Sequence, residues 1–498
     1  MPSASPSHIG LLVLEASACG LLFFFAIRSV YRAFLHPLAK VPGPKLFAFW
    51  DLPYLYYSLR GEWPRKLKQL HDRYGPVVRF TQDNVSFNVP GAWKTIYGHR
   101  MPGQESFPKD RKMYRKTVSG YPNIVIANDE DHRRHRRLIS HAFSEKALRG
   151  QEGVMQHYVD RLIARLTEKA RAGEVVDLVR WYNFTTFDLI GDLAFGEPFG
   201  CLEDGKYHPW VAMIFQNIKL GVFNEILRRY PALDFLRSVL LPPRLVRSRM
   251  QHWALSQQTA RRRIESGNVT REDFMSYILR HNDDKGMSTG EVIENANVLI
   301  IAGSETTATL LSGTTFYLLT NPDKYEKLVK EIRGAFEKEE DITLLTVGEL
   351  KYLTAVFEEG FRMYPPIPFA VPRRTPLKGE YIEGYWIPGD ISVGVSQWSA
   401  YQSEQNFRDP NQFIPERWLG EPRYADDKRD VLQPFSIGPR NCIGRNLAYA
   451  EMRLILARLL WNFDLELMPE SRNWNDQRVY LIWEKGTMNV KVIPVSRG

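Results

Sequence analysis

Cysteine is scarce in this sequence: the 498-residue chain has only Cys19, Cys201 and Cys442, which are widely separated. A disulfide framework and a zinc site built from cysteines both need several cysteines at short spacings, so the sequence excludes both. The main body of the protein is therefore expected in a reducing compartment.

Nucleotide-binding motifs and repeats are also missing. The sequence contains no G-x-G-x-x-G and no P-loop, so it offers no motif for a flavin, NADPH or a nucleoside triphosphate. From residue 45 onward there is no internal repeat, no Ser/Gly-rich linker and no low-complexity tract. Although the length alone suggests about three domains, this even composition predicts one large folded body over residues 49–498.

Charge of one sign does not dominate. The chain has 66 Lys and Arg against 57 Asp and Glu, a net charge of +9, which is a modest preference for an acidic partner or surface. Residues 132–137 concentrate four arginines and two histidines. Aromatic residues do not alternate with these arginines as they do in nucleic-acid-binding motifs, so no nucleic acid is expected as a partner.

Only one apolar run is long enough to cross a bilayer, residues 9–27, and it is interrupted by Glu15. About 19 helical residues reach roughly 28 Å, close to the hydrocarbon thickness. No Lys or Arg precedes the run while Arg28 and Arg32 follow it, which places the N-terminus in the lumen and the rest in the cytosol. The alternatives are a signal peptide cleaved near residues 16–18, or a buried core helix.

A Pro/Gly-rich segment follows this run. Pro37 and the V-P-G-P sequence at residues 41–44 cannot continue a helix. We therefore expect a membrane anchor over residues 1–30, a stiff elbow over residues 31–48 and the folded body after it.

Most of the body has helical periodicity. Within residues 153–171 the apolar side chains recur every three or four positions, which predicts one apolar helix face. Short β-like runs occur near residues 77–80, 85–89 and 391–395. The predicted class is mainly α with small β-sheets.

One predicted helix is unusually long. Ser288 and Glu291 form a capping box and the Asn-Pro pair at residues 321–322 is a stop signal, about 32 residues further on. Residues 298–303 are apolar on all faces and are expected to be buried. Glu305 and Thr306 follow immediately. Either the threonine hydroxyls at this point bond back to the helix backbone and bend the helix, or the helix opens there onto a ligand cavity.

The strongest signal is the sequence F-S-I-G-P-R-N-C-I-G at residues 435–444, which we call the cysteine loop, followed by an Ala- and Leu-rich helical stretch. A helix N-terminus favours a thiolate. A lone buried cysteine is more often a small apolar side chain. A nucleophile, a redox centre or a zinc ligand would each need a second cysteine, histidine or base, and the loop has none. A thiolate ligand of a planar metal centre needs only the single cysteine that the loop supplies.

The cysteine loop matches the pattern F-x-x-G-x-R-x-C-x-G of the cytochromes P-450, and three further motifs occur in the expected order. Residues 302–307, A-G-S-E-T-T, resemble the oxygen-activation motif of that family. Residues 359–362 are similar to its E-x-x-R helix, and residues 413–418 to its P-E-R-W segment. The resemblance is to the microsomal type and covers nearly the whole chain. It implies the cytochrome P-450 fold after one N-terminal transmembrane helix.

The resemblance implies roles for the residues around a haem b. Cys442 would be the axial thiolate ligand of the iron, with Phe435 beside the sulfur and Gly438 allowing close approach to the porphyrin. The haem propionates would be bound by four residues, one of them a histidine where many members have tryptophan: Arg440, Arg373, Arg136 and His132.

Other roles implied by the resemblance are catalytic, structural and substrate-binding. Glu305 and Thr306 would form the acid–alcohol pair that supports reductive activation of O2. Glu359, Arg362 and Arg417 would form a buried structural charge network. The substrate pocket, mostly apolar and thus suited to a lipophilic molecule, would include Asn297, Ile301, Ala302, Ile367, Phe369 and Val371.

The resemblance also implies partners and a reaction. Because the chain has no motif for them, NADPH and flavins would belong to a separate NADPH–cytochrome reductase, with cytochrome b5 as a further partner. Arg133, Arg134 and Arg137 would attract that acidic reductase. The expected location is the endoplasmic reticulum membrane, as a single-pass protein whose catalytic domain faces the cytosol.

The expected reaction inserts one oxygen atom from O2, by hydroxylation or epoxidation. Residues 141–144 and 187–196 resemble a fungal branch with trichothecene-type hydroxylases, which implies a polyketide, terpenoid or alkaloid substrate of secondary metabolism. The alternatives are a haem-thiolate isomerase or dehydratase that needs no electrons, and a haem-binding sensor or carrier without turnover.

Overall fold

The computed structural model describes residues 6–114, 117, 119–212, 221, 230, 235, 243–267, 271, 273–283 and 285–496. Helices dominate these residues, as the sequence predicts. The α-helices are α1 (Pro6–Val30), α2 (Lys45–Phe49), α3 (Leu52–Leu59), α4 (Trp63–Tyr74), α5 (Pro90–Tyr97), α6 (Asp129–Ile139), α7 (Glu145–Arg171), α8 (Leu178–Phe195), α9 (Cys201–Asp204), α10 (Pro243–Glu265), α11 (Phe274–His281), α12 (Thr289–Leu319), α13 (Pro322–Ala335), α14 (Leu344–Gly348), α15 (Lys351–Met363), α16 (Gln397–Tyr401) and α17 (Arg445–Asn462).

The strands are short and form small sheets. They are β1 (Val77–Arg79), β2 (Asn84–Phe87), β3 (Val175–Asp177), β4 (Arg373–Arg374), β5 (Glu380–Ile382), β6 (Tyr385–Ile387), β7 (Ser392–Val395), β8 (Phe463–Leu467), β9 (Val479–Tyr480), β10 (Ile482–Trp483) and β11 (Asn489–Pro494). One sheet has the order β1-β2-β7-β4 and another β3-β11-β8, while β5–β6 and β9–β10 pair separately. The strands predicted near residues 77–80, 85–89 and 391–395 are confirmed as β1, β2 and β7, and they lie in one sheet.

The N-terminal apolar helix continues further than the sequence predicts. Helix α1 is followed without a break by one π-helical turn, Tyr31–Leu35, and His36 is extended ahead of Pro37. The candidate membrane span is Leu14–Leu35, which overlaps the predicted run of residues 9–27, and its side chains are almost all exposed. Proline therefore ends the helix as predicted, but the start of the expected elbow is still helical.

The elbow packs against the body. The Arg79 amide in β1 donates to the Pro42 carbonyl at 2.7 Å. Gly43 has a φ of +155°, and a Cβ there would lie 2.1 Å from the Arg79 carbonyl oxygen. Only glycine allows this close approach of two backbones.

Helix α7 confirms the predicted amphipathic segment. It is longer than residues 153–171, and its buried side chains recur at helical spacing through Met155, Val159, Leu162 and Leu166. They join a core that runs through the described residues from Leu38 to Val492.

Helix α12 crosses this core and packs along α8. The predicted capping box is confirmed, because the Ser288 hydroxyl accepts from the Glu291 amide while the Glu291 carboxylate accepts from the Ser288 amide. The middle of the helix differs from the prediction of full burial, since Ala302 is exposed and Ile301 and Gly303 are half-buried. Ala302 and Gly303 line a cavity.

Candidate active site

The cysteine loop is folded tightly over its own backbone. The Cys442 amide donates to the Phe435 carbonyl at 2.8 Å, and a 3₁₀ turn covers Gly438–Arg440. Gly438 has a φ of +75°, and a Cβ there would lie 2.0 Å from the Tyr97 carbonyl oxygen. Glycine is therefore required at this position by the packing of the loop against α5.

The loop and the middle of α12 line one cavity of about 90 Å³. Cys442 and Phe435 contribute from the loop, and Ala302 and Thr306 contribute from α12. The other lining residues are apolar or small, apart from a threonine and a glutamate: Phe143, Ile190, Phe274, Leu299, Gly303, Thr307, Ile443, Gly444, Leu447, Ala448 and Glu451. The structure thus places Cys442 and Thr306, which the sequence singles out, on the wall of one cavity.

The Cys442 side chain is accessible, although the cavity that it faces lies inside the protein. Burial raises the pKa of the Cys442 thiol, while the Gly444 amide, Arg136 and Arg445 act in the opposite direction. Phe435, the first residue of the loop, packs edge-on against Phe361, with 5.1 Å between ring centres. The thiol is therefore held in a mainly apolar environment with cations nearby.

The four predicted propionate-binding residues line a second cavity, of about 550 Å³. Arg373 lies in β4, Arg440 in the cysteine loop, and His132 and Arg136 in α6. Arg440 pairs with Asp129 at 2.7 Å, and Arg136 donates to the carbonyl and side chain of Asn441, both at 2.6 Å.

Two donor atoms of this arginine cluster have no acceptor among the described residues. The buried Arg373 Nε and Arg440 Nη1 atoms have no hydrogen-bond partner among the described residues. Burial, Arg440 and Arg136 lower the pKa of His132 to about 3, so its imidazole is neutral. Buried cationic donors without acceptors fit a ligand that brings carboxylate groups. This is the property that a haem, with its two propionates, requires of the protein.

Two further residues, Lys109 and Tyr114, lie close to these arginines and were missed by the sequence analysis. Burial lowers the pKa of Lys109 well below its usual value, and the nearby cations Arg373 and Arg440 add to this. The Lys109 ammonium lies 4.2 Å from the ring centre of Tyr114, whose buried hydroxyl has no partner in the described part of the chain. Neither residue belongs to a recognisable motif, so only their folded position identifies them.

Glu305 and Thr306 are adjacent in sequence but face different surroundings. Thr306 lines the cavity with Cys442, and its hydroxyl donates to the Ala302 carbonyl one turn earlier. Glu305 is buried away from that cavity and forms an ion pair with Lys485. The structure therefore does not bring the acid and the alcohol together on one cavity wall.

The predicted structural network is assembled. Glu359 accepts two hydrogen bonds from Arg362 and lies 3.2 Å from Arg417, and all three side chains are fully buried. Asp427 pairs with the other side of Arg417, and the Trp418 indole donates to Glu359 at 2.9 Å. The sequence analysis missed these last two partners.

The predicted substrate-pocket residues do not all line the same cavity. Ala302 lines the one next to Cys442, whereas Phe369 lines another, of about 140 Å³, together with Leu481. Ile301, Ile367 and Val371 are half-buried. Asn297 is also half-buried, and its side-chain oxygen has no hydrogen-bond partner in the described ranges.

The arginines expected to attract a partner differ in availability. Arg133 and Arg137 are exposed. Arg134 instead binds Glu291 with both terminal nitrogens, at 2.9 and 2.6 Å, and Asp131 at 2.7 Å. Arg134 is therefore less available to a partner than Arg133 and Arg137, because its charge holds α6 against the start of α12.

The protein is mainly helical. One cysteine lines a cavity, and a second cavity contains arginine donors that have no hydrogen-bond acceptor among the described residues. The sequence pattern of the family described as Cytochrome P450 matches residues 41–491. The chain is 47% identical to the cytochrome P450 monooxygenase aclL of Aspergillus oryzae over 479 residues, which is 96% of this chain and 97% of that protein.

Other relatives have more specific names. The trichothecene C-4 hydroxylase of Trichoderma arundinaceum is 42% identical over 482 residues, 95% of each chain. The averantin hydroxylase of Dothistroma septosporum is 41% identical over 490 residues, 97% of this chain and 92% of that protein.

The chain belongs to the cytochrome P450 family. It is a haem-thiolate monooxygenase, and its cofactor is a haem held by a cysteine thiolate. The expected family, fold class and class of enzyme are thereby confirmed.

Proposed function

We propose that Cys442 is the thiolate ligand of the haem iron, with Phe435 beside the sulfur and Gly438 allowing the loop to lie close to the porphyrin. The observation that carries this proposal is that Cys442 and Thr306 line one cavity from opposite elements, the cysteine loop and α12. A ligand bound to the sulfur would therefore face the hydroxyl.

The haem propionates would be bound by Arg373, Arg440, Arg136 and His132. The unsatisfied donors of Arg373 and Arg440 support this assignment, because carboxylates would supply the missing acceptors. His132 can donate an N–H in either protonation state. Glu359, Arg362 and Arg417 would hold the surrounding core in place.

The bound haem supplies the activation of O2 and the transfer of one oxygen atom to the substrate. The protein would position the substrate and supply protons. Thr306 presents a hydroxyl to the cavity and can hold a proton at Oγ1. Glu305 would deliver protons toward it after leaving its ion pair with Lys485. The apolar walls of the cavity would exclude bulk water.

The substrate would be a lipophilic secondary metabolite of the polyketide, terpenoid or alkaloid class, which is hydroxylated or epoxidised. Ala302 next to Cys442, with Ile301, Ile367, Phe369 and Val371, would give it a mainly apolar pocket. Asn297 would supply one polar contact. The names of the two hydroxylases above support oxidation of such a compound.

Electrons would come from NADPH through the flavins of a separate NADPH–cytochrome reductase, with cytochrome b5 as a further partner. The exposed Arg133 and Arg137 support an acidic docking partner. The protein would be anchored in the endoplasmic reticulum membrane by its N-terminal helix, with a single catalytic domain over residues 49–498 in the cytosol. The continuous core supports the single domain.

The proposed reaction is tested by oxygen labelling. The full-length protein is reconstituted in vesicles with NADPH–cytochrome reductase and offered averantin and a trichothecene without an oxygen at C-4, under labelled O2. We expect a product that carries one labelled oxygen atom and that forms only when NADPH and reductase are present. A product formed without NADPH would instead identify an isomerase or dehydratase.

A further inference from the structure

The N-terminal apolar helix ends against the folded body, which supplies hydrogen-bond donors to its last carbonyls. The final turn of a helix leaves carbonyl groups without partners inside the helix. In the π-helical turn that ends this helix, the Arg32 carbonyl accepts from Nη1 of Arg79 at 2.8 Å, and the Ala33 carbonyl accepts from the Lys45 ammonium at 3.1 Å. Two cations of the body therefore bind the C-terminal end of the helix, where its dipole is negative.

Arg79 is held rigidly for this contact. It lies in β1, which pairs with β2, and it is only 3% exposed. Its Nε donates to the Thr81 carbonyl at 3.1 Å and its Nη2 to the Gln82 carbonyl at 2.8 Å. Burial and the nearby Arg32 lower the pKa of Arg79 to about 10, which leaves the guanidinium charged at neutral pH. Because all three nitrogens donate to backbone carbonyls, the side chain joins the helix to the sheet in one fixed position.

Lys45 makes a second link from a different element. It is the first residue of α2, and its ammonium nitrogen lies 5.4 Å from the ring centre of Phe34 in the π-helical turn. The Phe34 ring also packs edge-on against Phe49, the last residue of α2, with 6.0 Å between ring centres. Two links to separate elements restrict the direction of the apolar helix, whereas a single link would leave it free to turn.

Large apolar side chains are exposed next to this junction. Helix α2 packs against the π-helical turn, and α3 packs against α2. Four apolar or aromatic side chains in this part of the chain are each more than half exposed, and we call them the α2–α3 patch: Leu46, Trp50, Leu52 and Tyr56. Leu52 and Tyr56 lie four residues apart in α3 and share one face of that helix. A group of exposed apolar side chains indicates an interaction surface.

The position and composition of the patch favour lipid as its partner. The candidate membrane span ends at Leu35, and α2 packs directly on that end. Tryptophan and tyrosine concentrate at the boundary between membrane and water, because each has an apolar ring and one polar atom. The exposed Arg28 and Lys40 flank the end of the helix in the sequence, and such cations are attracted to anionic lipid headgroups.

We propose that Arg79 and Lys45 fix the membrane helix to the body and thereby hold the α2–α3 patch in the membrane interface, as a second contact with lipid. This inference rests on the proposed membrane anchor. The orientation of the body relative to the bilayer is then set by two hydrogen-bonded links. A body without these links would keep its anchor but turn on it, and the patch would become exposed to water.

The first test measures whether the patch lies in lipid. A nitroxide label is attached to Leu52→Cys in the full-length, haem-loaded protein, with Cys19→Ser to remove the exposed cysteine of α1, in vesicles that contain phosphatidylserine. Collisions of the label with O2, which dissolves in lipid, are compared with collisions with a water-soluble nickel chelate. We expect O2 to dominate at Leu52→Cys. At Leu345→Cys, an exposed leucine in α14, the nickel chelate should dominate.

Two results of this test would overturn the proposal. Access of the nickel chelate to Leu52→Cys would show that the patch lies in water. Shielding of the label from both reagents would show that protein, such as a second copy of this chain, covers the patch instead of lipid.

The second test measures whether the two links fix the orientation of the helix. The distances between labels on Ile27→Cys in α1 and Leu345→Cys in the body are measured by pulsed electron paramagnetic resonance, again with Cys19→Ser. Wild-type links should give one narrow distribution. The change Arg79→Met/Lys45→Met should replace this peak by a broad distribution and raise nickel access to Leu52→Cys. Equally narrow distributions, or a broad one with both links intact, would overturn the proposal.

Lys45→Met alone changes an exposed side chain and should broaden the distribution in the same direction, so the test does not depend on the stability of a variant that lacks the buried Arg79. A matched control is Arg333→Met. Arg333 also donates to two carbonyls at a helix end, those of Leu460 and Phe463, both at 3.0 Å, but it joins α13 to α17. This control should leave both readouts unchanged.

Extraction with alkaline carbonate separates the two levels of the proposal. Wild type that leaves the vesicles would refute the membrane anchor and this inference with it. Wild type that stays in the vesicles while its patch is open to the nickel chelate would refute this inference alone.

Discussion

Arg362 and Glu359 form a two-point ion pair inside the protein, with Nε–Oε2 and Nη2–Oε1 distances of 2.9 and 2.7 Å, and neither side chain is exposed. One turn of α15 separates the two residues, so they lie on the same helix face. The remaining nitrogen of Arg362 donates to the Tyr401 and Pro410 carbonyls at 3.1 and 2.6 Å. The pair therefore joins α15 to the segment before the cysteine loop.

Glu359→Gln should destabilise the protein strongly. The change leaves Arg362 and Arg417 buried without their shared carboxylate, at a cost of about 3–5 kcal/mol. Chemical denaturation followed by circular dichroism measures this loss. Glu349→Gln, at an exposed position just before α15, is the control and should change stability by less than about 0.5 kcal/mol. Equal stabilities of the two variants would contradict the assigned role.

The same network gives a pH dependence of defined sign. Arg362 and Arg417 counteract the burial of Glu359, and its pKa is lowered. A carboxyl whose pKa is lower in the folded state adds stability above its unfolded pKa, about 4.3, and this stability is lost as the pH falls through the folded pKa. Wild type should therefore lose stability below about pH 4 more steeply than Glu359→Gln. Parallel curves would show that Glu359 contributes nothing to acid unfolding.

Gly360 permits the close packing of α15 on α12. A Cβ at this position would lie 2.3 Å from the Thr314 hydroxyl. Gly360→Ala should therefore lower stability by about 1–3 kcal/mol through overpacking, despite the better helix propensity of alanine. Thr314→Ala removes the opposing atoms, so the double variant should recover most of the loss. Additive effects of the two changes in denaturation experiments would argue against this contact.

The cationic cavity should control how firmly the haem is held. Arg373→Leu and Arg440→Leu each remove a buried cationic donor, and a charge-assisted hydrogen bond contributes about 1.5–3 kcal/mol. We expect the rate of haem transfer to excess apomyoglobin to rise about tenfold or more for each. Arg423→Leu, which removes an exposed arginine paired with Asp409, should transfer haem at the wild-type rate. Unchanged rates for Arg373→Leu and Arg440→Leu would remove both residues from the haem site.

Thr306→Ala should uncouple NADPH consumption from product formation. The change removes the hydroxyl that faces the cavity next to Cys442, so protons are no longer delivered at the reacting position and peroxide is released. Thr306→Ser keeps the hydroxyl and should remain coupled. The ratio of peroxide to NADPH, measured with reductase, decides between them. The same ratio for alanine, serine and threonine would exclude Thr306 from the mechanism.

Local sequence signals predicted local structure well. The capping box of Ser288 and Glu291 requires only neighbouring residues, and both its hydrogen bonds form. The cysteine loop was recognisable for the same reason, since Phe435 and Cys442 are joined by a backbone hydrogen bond within one short segment.

Contacts between distant segments were not predictable. Lys485 is 180 residues from Glu305 and belongs to no motif, so its effect on the acid of α12 is visible only in the folded chain. The resemblance implied that Arg134 attracts an acidic reductase, but Glu291 and Asp131 bind its side chain in the folded chain. Ala302 was expected to be buried because residues 298–303 are apolar on all faces of the helix. An apolar sequence does not reveal whether a helix face meets other protein atoms or a cavity.

The role of Cys442 as the thiolate ligand is tested most directly by the reduced, carbon-monoxide-bound absorption spectrum. Wild type should give a strongly red-shifted Soret band, because Cys442 would supply a thiolate ligand to the iron, and Cys442→Ala should lose that band and all oxygenase activity. An unshifted, histidine-like band in wild type, or a red-shifted band retained in Cys442→Ala, would contradict the account.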